Sequence, residues 1–191
     1  MAKLKGSRTE KNLLASFAGE SQARNRYTYF ASQAKKDGFE QISALFLETA
    51  DNEKEHAKMF FKFLEGGPLE ITATYPAGKI STTFENLKAA AAGEHEENTK
   101  LYPEAAKVAE EEGFKEIASA YLNITKVEEQ HEKRYLKLAE NVEKYQVFAK
   151  DGKVFWKCRN CGFVFEGKKA PEKCPACLHP QSYFEIKENN Y

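Results

Sequence analysis

The sequence predicts a mainly α fold: a four-helix bundle followed by a small C-terminal β-rich metal domain. Three observations predict it. Residues from about 8 to 145 carry apolar side chains at helical spacing, that region repeats itself at an offset of 75 positions, and all four cysteines fall between Cys158 and Cys177. The expected domains are residues 1–147 and 148–191.

The first helix is expected over about 9–36, where Ser7 and Glu10 form a capping-box pattern and Gly38 supplies a left-handed stop. The second, over about 39–64, ends firmly at Gly66, Gly67 and Pro68. A crossover of some 15 residues with two prolines and three glycines follows. Thr82 and Glu85 cap the third helix, about 82–111, and Gly113 separates it from the fourth, about 114–144. Two helical hairpins joined by one long crossover are the connectivity of a ferritin-like bundle. After Tyr145 helical periodicity stops, and Val154, Phe155, Trp156, Phe163, Val164 and Phe165 surround the cysteines in a strand-and-turn module.

The repeat is polar as well as apolar. Gly38, Phe39, Ile42, Leu47, Glu53, His56 and Lys58 recur 75 positions later as Gly113, Phe114, Ile117, Leu122, Glu128, His131 and Lys133, with Phe46 and Phe60 answered by tyrosines. Gly19 and Glu20 recur as Gly93 and Glu94 at an offset of 74. The second repeat therefore holds one additional residue, which a π-bulge would absorb.

Composition narrows the function. The 29 Lys+Arg balance 29 Asp+Glu, so neither nucleic acid nor an anionic membrane surface is expected as partner. Met1 to Leu14 is polar and charged, and no stretch reaches the roughly 20 apolar residues of a membrane span. The reading is a soluble, cytoplasmic protein. Four cysteines clustered after more than 150 residues without one suit a metal site better than a disulfide framework.

Glu53 and His56 lie about 60° apart on a helix of 3.6 residues per turn, so both face one partner, and Glu128 and His131 repeat the geometry. Glu20 and Glu94 add one carboxylate from each remaining helix. This is the general template of di-iron or di-manganese sites in ferritin-like bundles. A lone Glu-x-x-His is most often a solvated helix face, but packing alone would not preserve both polar members in register. Buried carboxylates without cations cost several kcal/mol each or take up protons. Oxygen-rich ligation with one or two imidazoles suits iron or manganese.

Glu97 follows Glu94 by three positions and shares its face, while its counterpart at offset 74 is Ala23. It makes the site asymmetric; its alternative is a surface glutamate beside Glu96. Tyr27, two turns after Glu20, is positioned to donate to a ligand carboxylate or a bound oxygen species, with core packing as its alternative. Tyr102 is a weaker candidate of the same kind, and His95 is expected to be exposed without a role.

Cys158-x2-Cys161 and Cys174-x2-Cys177 present two thiolate pairs that close a tetrahedron around one metal. Zinc and iron both accept four thiolates, and alone such a knuckle is more often structural zinc. A one-electron iron centre is the more useful neighbour for a two-iron site. Trp156, Phe163, Phe165, Tyr183 and Phe184 are expected to form a miniature core. His179 is read either as a group near this metal or as an exposed loop histidine.

Together the duplicated Glu-x-x-His and the Cys158, Cys161, Gly162, Phe163 and Cys174, Pro175, Cys177 pattern resemble the rubrerythrins of anaerobic and microaerophilic microbes over essentially the whole chain. The resemblance implies three iron ions per chain, two in a non-haem di-iron site and one in a rubredoxin-like tetrathiolate site. It implies Glu20, Glu53, Glu94, Glu97, Glu128 and His131 as ligands, with His56 replacing Glu97 on one iron upon reduction; Glu97, His56 and Tyr27 are the expected catalytic residues. The implied activity is a peroxide reductase of the NADH peroxidase type. Hydrogen peroxide is its substrate, and electrons arrive from a rubredoxin and its reductase or a similar carrier. Leu178 departs from the glycine that rubredoxins usually place after the fourth cysteine, which bears on a backbone N–H bond to sulfur and on the reduction potential.

Two other functions compete: a ferritin-like ferroxidase or iron-handling protein, which needs no thiolate centre, and a non-enzymatic zinc module on a helical scaffold. A homodimer is expected. His131 lies 14 residues before Tyr145, so the chain leaves the bundle about 21 Å beyond this ligand. The thiolate iron of one chain is then expected to serve the di-iron site of the other.

Overall fold

The computed structural model describes residues 3–190. The outermost residues of the two expected domains, Met1, Ala2 and Tyr191, lie outside the described residues. The helices are α1 (Arg8–Lys36), α2 (Glu40–Phe63), α3 (Thr83–Glu96), α4 (Tyr102–Glu111) and α5 (Lys115–Glu143). A π-helical turn, Glu97–Leu101, joins α3 to α4 without a break, so the two make one bundle helix. The additional residue of the second repeat is absorbed there, between Glu94 at offset 74 and Tyr102, which stands 75 positions after Tyr27.

The caps form one residue differently from the expected boxes. Ser7 accepts from the Glu10 N–H, but the Glu10 carboxylate reaches back to the Gly6 N–H (2.7 Å). Thr82 accepts from the Glu85 N–H, and Asn86 Oδ1 takes the Ser81 N–H (2.9 Å). Each hairpin also caps the other. Asp37 Oδ2, at the end of α1, accepts from the backbone N–H (2.9 Å) and hydroxyl (2.6 Å) of Thr83, which opens α3. Its counterpart 75 residues on, Glu112, makes the same pair of bonds to Thr9 at 2.9 and 2.6 Å. Helix termini with unsatisfied N–H groups are thereby closed between hairpins.

Two aromatic clusters fill the bundle on either side of its middle. One contains Tyr27, Phe30, Phe46 and Tyr135, the other Phe60, Tyr102 and Tyr121. Under the repeat Tyr27 maps to Tyr102, Phe46 to Tyr121 and Phe60 to Tyr135, so each cluster is the other's image under an approximate two-fold.

The C-terminal module is an antiparallel three-stranded sheet in the order β2 (Val164–Lys169), β1 (Ala149–Cys158), β3 (Phe184–Ile186). Trp156 pairs with Phe165 on one side and Ile186 on the other, and its Nε1 donates to the Gly167 carbonyl (2.9 Å). Trp156 and Phe184 are buried with Cys158 and Cys174, with Phe163 and Tyr183 packed against them. Phe165 differs from expectation: it is exposed, its ring lying over Gly167. The module meets the start of α2, where the Phe39 and Phe148 rings stack with centroids 6.0 Å apart.

Candidate metal centre

Four elements converge on the bundle's middle. Glu20 comes from α1, Glu53 and His56 from α2, Glu94 from α3, and Glu128 and His131 from α5. Their donor atoms form two adjacent groups, Glu20, Glu53, His56 and Glu128, and Glu53, Glu94, Glu128 and His131. Glu53 and Glu128 belong to both, as two bridging carboxylates would. Each half then has its own glutamate and its own histidine.

All five of these polar side chains other than His56 are almost fully buried. His56 Nδ1 lies 2.9 Å from both Glu53 Oε2 and Glu128 Oε1, and His131 Nδ1 lies 2.8 Å from Glu128 Oε2 and 3.2 Å from Glu53 Oε1. Yet both Nδ1 atoms, both oxygens of Glu53 and Glu128, Glu20 Oε2 and Glu94 Oε2 are buried without a hydrogen-bond partner. Orphaned donors and acceptors are rare in folded proteins, and here they aim at common points. That is the condition two cations would satisfy.

The electrostatics agree. Burial, reinforced by Glu53, Glu97 and Glu128, pushes Glu20 well above the ordinary carboxylate range. Burial lifts Glu94 to about 8 against the opposing pull of His131. Burial acts to lower His131, but the close approach of Glu128, Glu53 and Glu94 raises it to about 12. Without cations the cluster must hold protons; carboxylate-rich ligation with imidazole is the donor set of iron or manganese.

The remaining acceptor positions are held by two tyrosines. Tyr27 O–H donates to Glu94 Oε1, and Tyr102 O–H donates to Glu20 Oε1 at 2.5 Å. Each tyrosine crosses to the other repeat's glutamate. The reciprocity is legible in the offset of 75 between Tyr27 and Tyr102. His131 also has its Nε2 3.3 Å from Asn52 Oδ1, which orients the ring.

Glu97 is the exception among the expected ligands. It lies outside both donor groups and lines a cavity between α1 and the π-helical turn. His56 stands inside them. His95 is exposed as expected, with Nδ1 2.9 Å from Glu132 Oε1.

At the C-terminal knuckles, Cys158 Sγ is 3.7 Å from Cys177 Sγ and Cys161 Sγ 3.6 Å from Cys174 Sγ. A tetrahedron with arms of about 2.3 Å has edges of about 3.8 Å, so the thiolates are already spaced for one metal. The two knuckles are images of each other. Gly162 and Leu178 both have positive φ, +79° and +64°, and their N–H groups donate to the Cys158 and Cys174 carbonyls at 2.8 and 2.9 Å. The N–H of Phe163 bonds Cys161 sulfur, and the N–H of His179 bonds Cys177 sulfur, the bond that chiefly brings the Cys177 thiol down to about 6. Leu178 therefore takes the glycine conformation and keeps the N–H bond to sulfur. His179 is half-buried, its ring edge-on to Tyr183 at 4.5 Å, rather than an exposed loop residue.

The family model described as rubrerythrin matches residues 11–139, and that described as the rubrerythrin rubredoxin-like domain matches residues 156–185. A rubrerythrin of Porphyromonas gingivalis is 63% identical over 98% of this chain and 94% of its own length. One from Nitratidesulfovibrio vulgaris is 60% identical over 97% of each. The solved structure of fully reduced, all-ferrous nigerythrin is 31% identical with a TM-score of 0.64, over 96% of this chain and 91% of that one. The carboxylate-histidine cluster and the four cysteines fit three iron ions per chain, two in the bundle and one between the knuckles.

Proposed function

Because this chain belongs to the rubrerythrin family, oxidoreductases that combine a di-iron bundle with a rubredoxin-like domain, we propose that it reduces hydrogen peroxide to water in the cytoplasm of an anaerobe. A rubredoxin or similar reductase-linked carrier supplies the electrons. The observation that carries this reading is the pairing, in one chain, of a buried two-metal carboxylate cluster with a tetrathiolate site. A ferroxidase has no use for the second, and a zinc module none for the first.

Held by Glu20, Glu53, His56, Glu94, Glu128 and His131, two irons would supply the two electrons that, with two protons, reduce hydrogen peroxide to two waters. The chain's residues do the rest. The aromatic clusters around Tyr27 and Tyr102 exclude bulk water from both ends of the site, while their hydroxyls hold protons against Glu94 and Glu20. His56 and Glu97 would be alternative ligands to one iron, the histidine in the reduced and the glutamate in the oxidised protein. The presence of His56 inside the donor groups and Glu97 outside them supports that exchange. An imidazole suits the lower charge and a carboxylate the higher.

Cys158, Cys161, Cys174 and Cys177 would hold a one-electron iron centre, placed to return electrons singly between chains of a two-fold homodimer. Docking of the module at the start of α2 supports this, since Glu53 lies 13 residues, about 20 Å, along α2 from Glu40. Head-to-tail pairing would bring the module of one chain to the cluster of the other. Cys174→Ser tests the division of labour. Steady-state peroxide reduction with a protein donor should disappear, while the dithionite-reduced variant should still consume one round of peroxide. Undiminished turnover in a correctly folded variant contradicts the proposal.

A further inference from the structure

The exchange just proposed requires somewhere for the Glu97 carboxylate to go. A carboxylate released from a metal inside a protein loses its counter-charge, and an uncompensated charge near the interior is costly unless another cation receives it. The cavity beside Glu97, about 440 Å³, lies under the crossover strap, where Tyr75 O–H donates to the Ala15 carbonyl (2.7 Å). Its wall carries three glutamates, Glu96, Glu97 and Glu104. Among the described residues lining it, Arg26 is the one cation.

Arg26 is built into that wall. Its Nε donates to Gln22 Oε1 (2.6 Å), one turn back on α1, and its guanidinium carbon lies 5.6 Å from the centre of the Tyr27 ring. These two contacts aim the Nη groups at α3, where Nη2 lies 3.6 Å from the Cβ position of Gly93. Glu97 is four residues after Gly93, on the same face one turn on. At that distance the guanidinium is in ordinary van der Waals reach of this turn. The opening of the π-helical segment at Glu97 distinguishes this position from Ala23 in the first repeat, which has no carboxylate to move.

We propose that Arg26 is a positioning residue for Glu97, receiving its carboxylate in the cavity when His56 takes its place on the metal. This rests on the proposed exchange and adds to it the group that sets its balance. The guanidinium fork matches a carboxylate in geometry as well as charge, so lysine is an incomplete substitute.

The test uses full-length iron-loaded protein, as wild type, Arg26→Gln and Arg26→Lys. Crystal structures of each, oxidised and reduced, read which of Glu97 and His56 is bound, and a redox titration reads the di-iron midpoint. In reduced wild type His56 should be bound and Glu97 should lie against Arg26. Arg26→Gln should shift the distribution toward bound Glu97 by about tenfold, lowering the midpoint by about 59 mV if it governs a one-electron step. Arg26→Lys should fall between the two. An unaltered distribution and midpoint in Arg26→Gln, with wild type still exchanging ligands, overturns the role of Arg26 alone. Identical ligands in oxidised and reduced wild type overturn the exchange itself, and the inference with it. Should Arg26→Gln not fold, Arg26→Lys decides: a wild-type midpoint and distribution would overturn the role.

Discussion

Leu178 is where chemistry and backbone pull apart most clearly. Its φ of +64° is the left-handed region, which costs a residue with a Cβ about 1–2 kcal/mol. The gain is the N–H geometry at Cys177 that Gly162 provides at Cys161. The Leu178 side chain is mostly exposed, so little burial offsets the strain. Glycine's greater freedom in the unfolded chain takes back about 0.5–1 kcal/mol, which leaves Leu178→Gly stabilising the module by about 0.5–1 kcal/mol. Denaturant titration followed by the iron–thiolate colour would measure it. Leu178→Val should move the midpoint the other way, because a β-branched residue fits that region worse.

The convergence of these side chains was legible because a repeat that serves packing alone has no reason to keep Glu53 with His56 and Glu128 with His131. The place of Glu97 was not legible. Its spacing from Glu94 put it on the right face, but its position outside the donor groups, at the wall of a cavity that α1 also lines, is set by tertiary packing that spacing does not encode.

At the scale of elements, the offset changing from 74 to 75 announced the π-helical turn before any geometry did, since one residue must be absorbed without rotating Tyr102 out of the core. The inter-hairpin caps were missed. Asp37 and Glu112 stand one residue before the repeated glycines and read as ordinary helix-end acids, and their partners Thr83 and Thr9 are distant in sequence. Asp37→Ala should destabilise the bundle by about 1–2 kcal/mol, the loss of an N-cap with two hydrogen bonds. Chemical denaturation at neutral pH would measure it, and a change within error would show that water replaces the cap. Glu112 contributes the same contact with a pH signature. Its carboxylate is held down to about 2, first by the Thr9 hydroxyl, so its contribution is present above the unfolded value of 4.5 and is lost as pH falls through about 2.

For the whole molecule, the cluster makes folding of the metal-free protein a protonation problem. Glu94 is lifted to about 8 by burial, and Glu20 and Glu97 are pushed well above 4.5 for the same first reason. A carboxyl raised in the folded state gives stability that is complete below its unfolded value and lost as pH rises through its folded one. His56, raised to about 9 by Glu128 and Glu53 against burial, acts in the same direction above 6.5. Metal-free protein should therefore lose stability steadily between pH 5 and 9. Bound cations replace the protons, and metal affinity rises with pH, so loaded protein should hold or gain stability over that range. Denaturant midpoints against pH, with and without metal, test this; parallel curves would place the sensitivity outside the cluster.

Bundle and module each make sense alone as a metal site; in the proposed function two irons would react and a third would reload them. The most direct test is an anaerobic titration of fully reduced, three-iron protein with hydrogen peroxide, following the ferric-thiolate colour. Three electrons per chain against two per peroxide predict that consumption ends at about 1.5 equivalents, with the colour fully returned by then and all iron retained. Peroxide consumption that stops at about 0.5 equivalent would mean that the thiolate iron reacts alone, and no colour after excess peroxide would mean that the two sites do not exchange electrons; either result contradicts the account.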